Sequence, residues 1–120
     1  MALATCCDMR IATPGSKFGV PAAKLGLGYD YKGVRRLMNV VGPSFAKEIF
    51  FTARQFDAEE ARMMGLINRV VPDAELESYV KNYAETIAGN APLTVGSIKL
   101  IVGEILKDES ERDMDVAAAS

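Results

Sequence analysis

Strand-forming sequence is concentrated at the front of this chain, and almost everything behind it is punctuated for helices. Asp8 to Thr13 reads as a strand, with Met9 and Ile11 alternating against Asp8, Arg10 and Ala12. Pro14-Gly15-Ser16 is a turn, and Lys17 to Ala22 reads as a second short strand interrupted at Gly19 and Pro21. Leu3 to Cys6, ahead of both, reads as the tail of a helix. Two short strands make only a marginal ribbon in water. Nothing later in the sequence completes a sheet around them, so the chain reads as part of a domain.

The helical portion has clear starts and stops. From Gly33, the residues Val34, Leu37, Met38 and Val41 recur at helical spacing, and Gly42 supplies a stop. Pro43 restarts the chain, with a second stripe at Ala46, Ile49, Phe50 and Ala53. Asp57 followed by Glu60 is a capping-box start for a short helix ending at Gly65. Ile67 to Val71 is a strand-like link closed by Pro72. Asp73 is placed to cap a further helix with the stripe Leu76, Val80, Tyr83 and Ile87, ended by Gly89-Asn90. Pro92 opens the last one, bearing Val95, Ile98, Val102 and Ile105. Asp108 to Asp115 reads as a frayed, densely charged end.

Composition narrows the function classes. Hydrophobic residues make up 49% and charged residues 25% of the 120, with a formal net charge of −2. A chain so balanced has a core to bury and no electrostatic reason to seek nucleic acid or an anionic membrane. No apolar run approaches the roughly 18 residues of a membrane span. The opening residues, with Asp8 cutting off a short apolar stretch, read as no secretory leader. Cys6 and Cys7 are adjacent, a geometry hostile to a mutual disulfide, so they read as reduced thiols of a cytoplasmic protein. The sequence contains no histidine. That removes Ser-His and Cys-His catalysis and leaves no zinc-ligand spacing.

Cys7-Asp8-Met9-Arg10-Ile11-Ala12, Lys17-Phe18-Gly19-Val20-Pro21 and Lys24-Leu25-Gly26-Leu27-Gly28 together resemble the crotonase (enoyl-CoA hydratase/isomerase) superfamily. The later run resembles it too. Thr52-Ala53-Arg54, Asp57-Ala58-Glu59-Glu60-Ala61 and Gly65-Leu66-Ile67-Asn68-Arg69-Val70-Val71 follow the family's "T-G-x-x-x-x-A-x-x-A" and "G-L-V-x-x-V-V" stretches. Ala91-Pro92-Leu93 opening the last helix also fits. The resemblance covers about Met1 to Leu106, its blocks arriving in the family's order.

It implies an α/β fold: the C-terminal part of a crotonase-like ββα spiral with a helical oligomerisation region. Residues 1–42 would end the spiral core, and 43–120 would form the helical region that packs subunits into trimers or dimers of trimers. The implied substrate is an acyl-CoA thioester, with coenzyme A as part of the substrate and no separate cofactor. The implied chemistry is stabilisation of a thioester enolate by two fixed backbone N–H groups. One lies on a loop of the N-terminal half. The other follows a glycine run that the resemblance places immediately upstream of Met1. The chain is accordingly read as the C-terminal half of such a protein, inactive by itself.

Hydratases of this family use two glutamates as an acid/base pair, one holding a proton while the other accepts one. The resemblance puts the first at Ala2, five positions before Cys7, and the second at Ala22, after the proline of the "F-G-x-P" stretch. Neither alanine can exchange a proton. Both remain expected substrate-binding positions, together with Tyr31. Leu25-Gly26-Leu27-Gly28-Tyr29 is similar to a loop of methylmalonyl-CoA decarboxylase, which carries a tyrosine at the position of Tyr29. Tyr29 is therefore the expected catalytic side chain. Against this, either tyrosine could pack on the following helix with its hydroxyl in water.

Asp30 reads as a solvated loop acid before it reads as a proton carrier. Of Arg35 and Arg36, which diverge on a helix, at most one would reach a coenzyme A phosphate. Lys99 lies off its apolar stripe and reads as solvated. A third reading is a crotonase-fold protein without catalysis, retained for binding or oligomerisation.

Overall fold

The computed structural model describes residues 2–20, 30–107 and 110. It divides into two compact units, Met1–Tyr79 and Val80–Ser120.

In the first unit a short helix, α1 (Ala2–Thr5), leads into β1 (Ile11–Ala12) and β2 (Lys17–Phe18). The expected β1–β2 ribbon does not form. Each strand instead finds its partner far along the chain: β1 runs parallel to β4 (Arg69–Val70), and β2 antiparallel to β3 (Phe56–Asp57). The strand-like link at Ile67–Val71 is thus a sheet partner, which supplies the pairing that the front strands alone lack.

Helix α2 (Tyr31–Thr52) begins two residues before Gly33, because the Asp30 carboxylate caps it by accepting from the Gly33 N–H at 2.8 Å. The Gly42-Pro43 break is real: Gly42 lies at φ 84°, ψ 167°, inside what is otherwise one long helix. That backbone region is open essentially to glycine alone. The helix ends at Ala53, itself left-handed at φ 51°.

Helix α3 (Ala58–Met64) carries the expected reciprocal capping box. The Asp57 carboxylate accepts from the Glu60 N–H at 2.8 Å, and Glu60 accepts from the Asp57 N–H at 3.3 Å. Gly65, at φ 84°, closes it as a left-handed cap.

The core sits where these elements meet. Leu37, Val41, Ala46 and Ile49 from α2 pack with Phe56, Ala58, Ala61, Met64, Leu66 and Ile67. Ile49, Phe56 and Leu66 are the largest fully buried side chains, each worth about 1.5–3 kcal/mol of apolar burial.

Asp73 does not cap a helix by its side chain. It opens a single 3₁₀ turn, Asp73–Glu75, after which α4 (Leu76–Gly89) begins. All of α4 is described and none of it is buried: the stripe residues Val80 and Ile87 are exposed.

In the second unit α5 (Pro92–Leu106) starts on Pro92 as expected. Its stripe is likewise uncovered in this chain, with Val95, Ile98, Val102 and Ile105 exposed by 40%, 56%, 47% and 60%. Lys107 pairs with Glu104 at 2.7 Å across one turn at its end. The charged segment from Asp108 to Asp115 lies outside the described residues except at Ser110. Among the described residues no helix is long and apolar enough to cross a membrane.

Candidate functional site

Of the expected site residues, Ala2 and Tyr31 are described, and both lie in the first unit, Ala2 on α1 and Tyr31 at the entry of α2. Ala2 is the first residue of α1, which packs beside α2. Tyr31 is the first residue of α2 and is 69% exposed, so its hydroxyl is presented outward and not packed on the helix. It belongs to the helix and not to the loop in which the sequence placed it. Asp30 is committed to the cap, since its carboxylate oxygen holds the Gly33 N–H. Arg35 and Arg36 follow in the same turns, both half-buried. Lys99 is exposed on α5. Ala22 and Tyr29 lie outside the described residues.

On the chain side of β2, Lys17, Gly19, Val20, Ala53 and Gln55 line an open cleft of about 220 Å³. Gly19 is required there by close approach, because a Cβ at this position would stand 2.9 Å from the Arg54 carbonyl oxygen. Among the described residues that line it, Lys17 is the cation. Among the described residues no group of three or more His, Cys, Asp or Glu side chains could hold a metal ion. Cys6 and Cys7 are both exposed and outside any disulfide.

Two arginines organise the surroundings. Arg54 pairs with Glu60 at 2.5 Å and approaches Glu48 at 3.8 Å, its guanidinium lying 3.9 Å from the centroid of the Phe56 ring. The Arg54 hydrogen bond, backed by the Asp57 N–H, holds the Glu60 carboxyl below its ordinary range, and Glu60 in turn raises Arg54. Arg10 ties α1 to the link after α3, through Cys7, Ala4 and Leu66 carbonyls. Sequence reasoning left Arg10 as the polar side of a strand. Its available signal was a basic residue a few positions past a helix end, where cations meet unpaired carbonyls.

The family model for Enoyl-CoA hydratase/isomerase matches residues 1–119 of this chain. The chain belongs to the enoyl-CoA hydratase/isomerase family. It is 39% identical over 116 residues to a crotonyl-CoA hydratase of Syntrophomonas wolfei, covering 97% of this chain and 45% of the relative. A short-chain-enoyl-CoA hydratase of Clostridioides difficile is 47% identical over 94 residues, 78% of this chain and 60% of the relative. Among solved structures, an enoyl-CoA hydratase/carnithine racemase from Magnetospirillum magneticum superposes with a TM-score of 0.85 at 35% identity. That match covers 92% of this chain and 43% of the other.

The chain thus spans about half the length, or less, of most relatives it matches, and its α/β architecture is a partial crotonase fold.

Proposed function

We propose that the protein carrying this chain processes an acyl-CoA thioester by stabilising its enolate, and does so without two-glutamate hydration. The observation that carries this is the family match running unbroken through α1 and β2 while Ala2 and Ala22 stand where the resemblance puts the acid/base pair. Backbone donors fixed at the thioester oxygen would remain useful without those carboxylates, because they act on the charge that develops there.

Tyr29 supports a decarboxylase-like version. Loss of CO₂ breaks a carbon–carbon bond and leaves its electron pair on the thioester as an enolate. A phenol, protonated at neutral pH with its ordinary pKa near 10, can then deliver a proton to the α-carbon and recover one from water. No general base is needed to start such a reaction, which suits a site with two alanines. The same alanines support a second reading, a crotonase-fold protein retained for binding or assembly.

The uncovered stripes of α4 and α5 support assembly into trimers or dimers of trimers, and the reduced thiols support a cytoplasmic setting. Calorimetric titration of the full-length protein with crotonyl-CoA and methylmalonyl-CoA, followed by mass analysis for turnover, tests the reading. Binding with conversion of a thioester other than by hydration is expected. Binding without conversion favours the non-catalytic reading, and no binding refutes both.

A further inference from the structure

Helix α1 ends at Thr5, and the carbonyls of its C-terminal turn, with no further turn of helix to bond to, need an external anchor.

Arg10 supplies it. Its Nη1 donates to the Cys7 carbonyl at 2.7 Å and to the Ala4 carbonyl at 3.3 Å, at the C-terminal end of α1. Its Nε donates to the Leu66 carbonyl at 2.5 Å, in the link between α3 and β4. The backbone of the same residue is held as firmly. The Arg10 N–H donates to Asn68 Oδ1 at 2.9 Å, and the Asn68 N–H returns to the Arg10 carbonyl at 2.7 Å, in step with the β1–β4 register. The guanidinium thus joins the end of α1 to buried Leu66, while the backbone of the same residue is fixed at the sheet edge. Its charge also sits at the helix pole that favours a cation. A lysine could not span these carbonyls, having a single donor centre.

We infer that Arg10 is a positioning residue for the thioester site: it sets where α1, and therefore the Ala2 position, stands relative to β1 and α2. The inference rests on the reading that α1 borders the thioester. Arg10 itself bonds the far end of α1, at the Ala4 and Cys7 carbonyls.

In the full-length protein, Arg10→Ala should lower turnover roughly 10²-fold, the scale of a small misplacement of reacting groups, and leave thioester affinity essentially unchanged. The red shift in absorbance of a bound cinnamoyl-CoA, which reports polarisation of its carbonyl, should shrink in parallel. Added methylguanidinium should restore both. Unchanged turnover and spectrum, or affinity falling in step with turnover as general unfolding would cause, overturns the inference. If Arg10→Ala does not fold, Arg10→Lys takes its place, and wild-type behaviour in that variant is equally fatal.

A wild-type protein indifferent to every CoA thioester refutes the functional reading instead. Amide exchange then decides the positioning. Residues 4–7 should exchange roughly tenfold faster in the variant while Ile49 and Leu66 stay protected, and equal exchange overturns it.

Discussion

Arg54 and Glu60 form a 2.5 Å ion pair beside the capping box that starts α3, with Glu60 serving both Arg54 and the Asp57 N–H. Because these bonds favour the charged carboxylate, Glu60 titrates below its ordinary value of 4.5 in the folded chain. A group lowered on folding contributes stability that is present above its unfolded value and lost as pH falls through its folded one. Acidification below 4.5 should therefore weaken the fold. Glu60→Gln should flatten that acid limb in thermal melts taken across the range. A variant as acid-sensitive as the wild type would remove Glu60 from the account.

Ala53 ends α2 in the left-handed region at φ 51°, buried, where the family stretch "T-G" has a glycine. An L-residue pays a penalty there that glycine avoids, partly offset by glycine's freer unfolded state. Ala53→Gly should raise stability by about 0.5–1 kcal/mol in urea unfolding. A loss of stability would mean that the Ala53 methyl packs better than its backbone strains.

The apolar stripes of α4 and α5 require cover, so the full-length protein should sediment as an oligomer at micromolar concentration. A clean monomer by light scattering would contradict that.

How much of this was readable from residues depends on range. Local devices were legible: the Asp57–Glu60 box, the Gly65 and Gly42 stops and Pro92 at a helix start all act within a turn of themselves. Pairings were not. β1 meets β4, with Arg10 and Asn68 separated by 58 positions, and alternation in Met9 and Ile11 says nothing about which later segment lies alongside. Asp73 misled because its side chain suits a cap, while Pro72 precedes a 3₁₀ turn that delays α4 to Leu76. At the site, Ala2 and Tyr31 are positions that the resemblance proposes, whereas the contacts of Arg10 were not legible because they join carbonyls brought from two distant elements.

Tyr29→Phe should slow an enolate-forming reaction of the full-length protein by roughly 10²-fold if the phenol is the proton donor, with coenzyme A binding nearly unchanged. Steady-state kinetics with each thioester that turns over decides it. Unaltered kinetics would leave Tyr29 a packing residue.

The proposal is that the full-length protein holds an enolate-stabilising thioester site with alanines at the positions of the acid/base pair. Restoring that pair tests it most directly, with the hydration of crotonyl-CoA followed by loss of the conjugated thioester absorbance. Wild-type full-length protein should stay at background. The Ala2→Glu/Ala22→Glu double variant should gain hydration by roughly 10²-fold or more, the contribution expected of positioned acid–base groups. Hydration by the wild type, or a folded double variant that remains at background, would contradict the account.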